Sequence, residues 1–145
     1  KEYVDAIRVM LPNGNRINGD DLRDIWMNSK IGEMPAVSLL DELLNHYKVW
    51  VISNTTESHI KSLKSQFTFL EKINGIVTSE RAGVHKPHPN IFQFALAEAN
   101  CDVTSALFID DSYTNIESAE NLGIVSHHYT DFDGLVGCLQ KNLEI

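Results

Sequence analysis

Cysteine is scarce in this chain, and the little there is forms no functional pattern. Among 145 residues only Cys101 and Cys138 are cysteines. Their separation matches neither a zinc site nor a redox pair. The six histidines form no zinc pattern either, and His46 and His59 are predicted to lie on helix surfaces. We therefore interpret both cysteines as reduced thiols.

Long apolar runs and basic stripes are also lacking. No stretch approaches the roughly 20 apolar residues that a membrane span needs. Lys and Arg number 12 against 20 Asp and Glu, which gives a net charge of −8. Basic patches with interleaved aromatics are absent, which argues against nucleic-acid binding. No signal-peptide pattern opens the chain, so we expect a cytoplasmic protein with neither membrane nor nucleic-acid partners.

Short apolar runs instead alternate with amphipathic segments along most of the chain. The predicted strands are Val49–Ser53, Gly75–Thr78, Ala106–Ile109 and Ile124–His127. Helices are predicted before, between and after them, among them Thr56–Phe67, Pro89–Ala99 and Thr114–Leu122. Pro35 is expected in the first turn of another helix. Strands that alternate with helices favour an α/β fold with a parallel sheet, whose ligands bind at the carboxyl ends of the strands.

Two adjacent carboxylates, Asp110 and Asp111, follow one of these apolar runs. Like charges this close are costly unless a cation lies near them. Mg²⁺ prefers carboxylate oxygens, keeps several waters and often binds together with phosphate groups. The pair therefore predicts a Mg²⁺ site that handles a phosphate.

A hydroxyl and a lysine complete the parts that such a site needs. Ser53 and Asn54 come at the end of the first predicted strand. Lys86 precedes Pro87, which disfavours a helical backbone at the lysine. A hydroxyl, an ammonium and an acidic pair can hold, neutralise and position a phosphoryl group.

The order of these parts resembles the haloacid dehalogenase-like hydrolases. Ser53 matches the second motif of that family, Lys86 the third, and Asp110-Asp111 followed by Asn115 the fourth. The flanking residues are similar to the subgroup that carries a helical cap. The resemblance covers at least residues 32–143. It implies a parallel Rossmann-like core at 32–145, preceded at 1–31 by the C-terminal remnant of the cap.

The resemblance also implies a Mg²⁺-dependent phosphatase that acts on a small phosphorylated metabolite through an aspartyl phosphate. The Ser53 hydroxyl and the Asn54 backbone N–H would hold phosphate oxygens, and Lys86 would neutralise the transferring group. On the metal side, Asp111 aligns with the direct ligand and Asp110 with an outer or water-mediated partner. Asn115 would orient the site.

The first motif of the family, an apolar strand that runs into Asp-x-Asp, has no match in residues 1–48. We therefore expect a truncated chain, inactive alone, that lacks its nucleophile and central strand. The strands ending at Ser53 and Asp110 would then flank a gap of roughly 9–10 Å, two strand spacings. Such a chain is expected to need its missing N-terminal segment as a partner for stable folding.

A similar run of letters occurs near the C-terminus, at Asp131-Phe132-Asp133. One interpretation is a displaced nucleophile, as in a permuted chain. The other is the N-cap of the last helix, where Asp is favoured. The preceding residues, 126–130, are not a buried apolar strand, so we predict an N-cap.

Three alternatives to the phosphatase stay open. A dehalogenase of the same superfamily needs no Mg²⁺, so the acidic pair argues against it. A bacterial receiver domain uses the same parts, but its acidic pair comes first and its lysine last. A non-catalytic binding or scaffold protein is compatible with the missing nucleophile.

Overall fold

The structure is a computed structural model that describes residues 35–143. The predicted cap remnant at residues 1–31 and its boundary with the core lie outside the described residues. The division into these two domains therefore stays a prediction.

Strands and helices alternate along the described residues. The strands are β1 (Trp50–Ser53), β2 (Gly75–Thr78), β3 (Leu107–Asp110) and β4 (Val125–His128). The α-helices are α1 (Leu40–His46), α2 (Glu57–Gln66), α3 (Ser79–Ala82), α4 (Pro89–Ala99), α5 (Tyr113–Glu120) and α6 (Phe132–Asn142). Single 3₁₀ turns occur at Pro35–Leu39, Thr68–Glu71 and Val103–Ser105.

The predicted elements agree closely with these bounds. Each predicted strand is present, and β2 and α4 have the predicted ends. Gly123 has a φ of 87° just after α5, the left-handed conformation expected of a glycine that follows a helix. The prediction for Pro35 was wrong in detail, because Pro35 begins a 3₁₀ turn and the α-helix starts only at Leu40.

The strands form two parallel pairs. Strand β1 pairs with β2, with Ser53 opposite Thr78, and β3 pairs with β4, with Asp110 opposite His128. Within residues 35–143, β1 and β3 are not hydrogen-bonded to each other. This interruption falls where the sequence predicts an additional strand. Each pair carries polar residues at its carboxyl end, as a ligand site of a parallel sheet requires.

Side chains from both strand pairs share one hydrophobic core. Its buried members are Val77, Ile91, Phe92, Ala95, Ala119 and Ile124. Trp50 and Ile52 of β1 pack against this cluster, as does Phe108 of β3. The rings of Phe92 and Phe108 meet edge to face, with centroids 5.0 Å apart at 79°. Helix α4 therefore bridges the two pairs through its buried face.

The contact between Gly75 and Trp50 gives a first testable prediction. A Cβ on Gly75 would overlap the Trp50 ring, whereas a Cβ on Gly137 in α6 meets open space. Gly75→Ala is therefore expected to lower the free energy of unfolding by about 1–3 kcal/mol through overpacking. Gly137→Ala, the matched control, should raise it by up to about 1 kcal/mol through helix propensity. Urea denaturation of both variants measures the difference, and equal effects would contradict the assigned packing.

Two predictions about individual polar residues are decided by their contacts. Asp131 is the N-cap of α6, because its Oδ1 accepts a hydrogen bond of 2.7 Å from the Gly134 backbone N–H. That bond, with one from the Thr130 hydroxyl, lowers the pKa of Asp131. The N-cap prediction is confirmed. The prediction for His59 was wrong, since its side chain is buried and its Nδ1 lies 2.8 Å from the Thr55 hydroxyl.

No helix between residues 35 and 143 combines the length and the apolar character that crossing a bilayer requires.

Candidate active site

The loop after β1 contacts the lysine loop through one side chain. Asn54 Oδ1 accepts a hydrogen bond of 2.7 Å from the Lys86 backbone N–H, and Asn54 Nδ2 donates one of 2.9 Å to the Lys86 carbonyl. These bonds join residues that are 32 positions apart in sequence. The second and third candidate motifs are therefore in direct contact.

Lys86 in turn contacts the carboxyl end of β3. Its Nζ lies 2.6 Å from Asp110 Oδ2, and the two side chains are only 13% and 6% exposed. The ammonium also lies 5.8 Å from the centre of the Phe108 ring. A charge pair this secluded holds its geometry better than a surface pair, because little water competes for either partner.

The second carboxylate oxygen of Asp110, Oδ1, also accepts hydrogen bonds. Asp110 Oδ1 accepts hydrogen bonds of 2.9 Å from Asn115 Nδ2 and from the Ser112 backbone N–H. Burial alone would raise the pKa of Asp110, but the hydrogen bonds from Lys86, Asn115 and Ser112 outweigh it, and the pKa lies below its ordinary value. Asp110 is therefore ionised at neutral pH, and its partners stabilise that form.

The lowered pKa of Asp110 also fixes how its contribution to stability depends on pH. The unfolded chain would bind a proton near pH 3.9, the ordinary value for Asp. The folded protein binds it only at lower pH. The stabilisation is thus complete well above pH 3.9 and is lost as pH falls through the lowered value.

Asp111 differs from its neighbour. Its side chain is exposed, while its carbonyl oxygen lies 3.0 Å from His128 Nε2. The backbone N–H of Tyr129 also donates to the Asp110 carbonyl, at 2.9 Å. Strand β4 and the residue after it therefore hold the backbone of Asp110 and Asp111, and the Asp111 carboxylate faces solvent.

The described residues supply only part of the ligands that a Mg²⁺ ion needs. Among residues 35–143 no group of three or more His, Cys, Asp and Glu side chains is arranged to hold a metal. Asp110 is already engaged by Lys86 and Asn115, so Asp111 supplies the accessible carboxylate. Mg²⁺ commonly binds through one or two carboxylates plus waters and phosphate oxygens, so this partial set suits it.

The structure thus links four of the six predicted site residues into one network: Asn54, Lys86, Asp110 and Asn115. Ser53 and Asp111 adjoin it in sequence, each at the carboxyl end of its strand. Sequence reasoning missed the role of the Asn54 side chain, having considered only its backbone. It also missed Ser118, whose hydroxyl donates to the Pro87 carbonyl at 2.5 Å. Ser118 is half-buried, and no sequence pattern distinguishes it from the other polar residues of α5.

The fold and this network define an α/β protein with a charged site at the carboxyl ends of parallel strands. The family described as haloacid dehalogenase-like hydrolase matches residues 19–128. The chain belongs to this family of hydrolases, which confirms the resemblance drawn from its motifs.

Curated relatives include two phosphatases. The chain is 26% identical over 104 residues to a sesquiterpene phosphatase from Aspergillus oryzae, an alignment that covers 71% of this chain and 52% of that protein. It is 42% identical over 50 residues to the glyceraldehyde 3-phosphate phosphatase of Pyrococcus abyssi, covering 34% of this chain and 21% of that protein. The chain therefore spans about half the length of the first relative and about a fifth of the second.

Solved structures show the same fold. A wild-type haloacid dehalogenase-family enzyme from Bacteroides thetaiotaomicron, in complex with magnesium and inorganic phosphate, is 29% identical with a TM-score of 0.72. The alignment covers 92% of this chain and 72% of that one. The L-2-haloacid dehalogenase of Xanthobacter autotrophicus, at 17% identity and a TM-score of 0.68, shares the fold over 86% of this chain and 51% of its own.

Proposed function

We propose that this chain is part of a Mg²⁺-dependent phosphatase that hydrolyses a small phosphorylated metabolite. The observation that carries the proposal is the Lys86–Asp110 pair at the carboxyl end of β3, tied to the β1 loop by Asn54. The phosphatases among the relatives, and the Bacteroides enzyme with magnesium and phosphate, support the same choice within the hydrolase family.

Phosphate would be held by the groups at the carboxyl ends of β1 and β3. The Ser53 hydroxyl and the Asn54 backbone N–H, both at the carboxyl end of β1, would each donate to a phosphate oxygen. Lys86 has three N–H donors, of which Asp110 accepts one, so the others can reach a phosphate oxygen. The ammonium would offset the charge that develops on the transferring group.

Neither Asp110 nor Asp131 is proposed as the nucleophile of phosphoryl transfer. The carboxylate of Asp110 is engaged by Lys86, and Asp131 caps a helix. We propose that an aspartate outside the described residues attacks phosphorus while the bond from phosphorus to the ester oxygen breaks, and that a second acid, also outside the described residues, gives its proton to that oxygen. The same group then takes a proton from water, which attacks the aspartyl phosphate, releases inorganic phosphate and restores the first carboxylate. Asp111, with Asp110 behind it, would hold Mg²⁺, which when bound neutralises phosphate charge.

An assay of the full-length protein tests this function. We expect hydrolysis of p-nitrophenyl phosphate with Mg²⁺ and its loss with EDTA. Asp111→Asn should lower kcat/KM on the order of 10²-fold or more, because a charged ligand to the ion is removed. Asp102→Asn, an exposed aspartate before the 3₁₀ turn at Val103–Ser105, is the matched control and should leave turnover unchanged.

Other results would replace the proposal. Metal-independent release of halide from 2-chloropropionate would identify a dehalogenase. Absence of turnover on a broad panel of phosphate esters, with Mg²⁺ bound or not, would favour the non-catalytic binding protein.

A further inference from the structure

We propose that the Asn54 side chain is a positioning residue that fixes the backbone of Lys86 and thereby holds the ammonium against Asp110. Its catalytic consequence rests on the function proposed above. The contact itself can be tested independently of any activity. The sequence predicted a role only for the Asn54 backbone N–H, as a donor to phosphate, and none for its side chain.

The contact is two-point. The Asn54 side chain accepts from the Lys86 N–H at 2.7 Å and donates to the carbonyl of the same residue at 2.9 Å. Two bonds to one residue fix the orientation of its backbone as well as its position. A carboxamide offers a donor and an acceptor side by side, which a carboxylate or a hydroxyl at this reach does not reproduce.

The lysine loop is held on its other side as well. Ser118 of α5 donates from its hydroxyl to the Pro87 carbonyl at 2.5 Å, and the His88 N–H bonds the His85 carbonyl at 2.9 Å. Asn54, after β1, and Ser118, on α5, therefore hydrogen-bond two consecutive residues of the lysine loop, Lys86 and Pro87. Lys86 lies at the first of these contacts, with its backbone fixed and its side chain directed to Asp110.

The loop that carries Asn54 is itself anchored to the second strand of its pair. The Thr55 carbonyl accepts from the Ser79 hydroxyl at 3.1 Å and from the Glu80 N–H at 3.3 Å. Both donors directly follow β2. The β1–β2 pair therefore sets the position of Asn54, and the two hydrogen bonds from the Asn54 side chain set the position of the Lys86 backbone.

This contact matters because β1 and β3 share no ladder in the described part of the chain. The polar bonds between their two loops run from Asn54 to Lys86 and from Lys86 to Asp110. A lysine side chain has four flexible methylenes, and fixing its backbone lowers the entropy lost when the ammonium meets a phosphate.

Amide hydrogen exchange on the full-length protein tests the contact directly. In Asn54→Ala the Lys86 amide should exchange roughly two- to tenfold faster, the factor expected from one net hydrogen bond. Asn74→Ala is the matched control, because Asn74 Oδ1 accepts from the Val49 N–H at 2.7 Å at the opposite end of β1. It should speed the Val49 amide and leave the Lys86 amide unchanged. Asn54→Leu, which keeps most of the side-chain volume and lacks the acceptor for the Lys86 N–H, serves the same purpose if Asn54→Ala does not fold.

Steady-state kinetics test whether Asn54 acts through Lys86. With p-nitrophenyl phosphate, Asn54→Ala should lower kcat by up to about 10²-fold with a smaller change in KM, because misplacement of the ammonium affects the transition state most. In a Lys86→Met background the same substitution should have little further effect on kcat. Asn74→Ala should leave both constants unchanged.

Each outcome is decisive. Faster Lys86 exchange in the Asn54 variants together with non-additive kinetics supports the role. Unchanged Lys86 exchange, or a loss of kcat that is fully additive with Lys86→Met, overturns it. If the unmodified protein hydrolyses no phosphate ester, the proposed function fails, and the exchange data alone still decide whether Asn54 fixes Lys86.

Discussion

Lys86→Met in the full-length protein is expected to lower kcat by about 10²–10³-fold, the largest single effect on activity. Removal of a preorganised charge from a transferring group typically costs about 3–4 kcal/mol of transition-state stabilisation. Methionine keeps much of the length and apolar packing of the lysine stem, so the change isolates the charge. Assays with p-nitrophenyl phosphate at saturating Mg²⁺ measure it.

The same variant should also be less stable, on the order of 3 kcal/mol, because it leaves the secluded Asp110 carboxylate without its cation. Lys61→Met, at an exposed position of α2, is the control and should change neither kcat nor stability by a measurable amount. Full activity in a folded Lys86→Met protein would exclude Lys86 from the chemistry.

Phe92→Ala is expected to cause the largest loss of stability, about 3–5 kcal/mol. Phe92 is 1% exposed and lies among core residues from both strand pairs. Its truncation leaves a cavity and removes the edge-to-face contact with Phe108. Urea denaturation followed by circular dichroism measures the loss.

Val125→Thr is the control for Phe92→Ala. Val125 is 48% exposed on β4, and threonine keeps its branched shape and strand preference, so the change should stay within about 0.5 kcal/mol. Similar losses in the two variants would mean that Phe92 is not at the centre of the core.

The fold could be predicted well because its signals are local. The apolar run before Asp110 and the spacing of Ile91, Phe92 and Ala95 each reflect burial in one element, and burial is what periodicity reports. The 3₁₀ turn at Pro35–Leu39 was missed because a 3₁₀ turn and the first turn of an α-helix share the same start signals. His59 was misplaced because its helix turns that side chain toward the preceding loop.

The candidate site was predictable as a set of residues and much less as a geometry. The resemblance to the family's motifs suggested Lys86, Asp110 and Asn115, and in the structure Lys86 and Asn115 both hydrogen-bond Asp110. The pairing of Asn54 with the backbone of Lys86 joins loops 32 residues apart, and no local pattern encodes such a bond. The metal roles of Asp110 and Asp111 stay predictions, since a carboxylate in a sequence does not reveal whether another side chain already engages it.

Helix α4 packs against both strand pairs, so its position affects how far apart the two pairs lie. Within residues 35–143 the two pairs share no ladder, and the Phe92 side chain of α4 joins them by packing in their common core. A small tilt of this helix would therefore change the spacing between the loop that follows β1 and the loop that follows β3, while the hydrogen bonds within each strand pair stay intact. The spacing of the two strand pairs therefore depends on the volume of the Phe92 side chain as well as on the bonds from Asn54 to Lys86 and from Lys86 to Asp110.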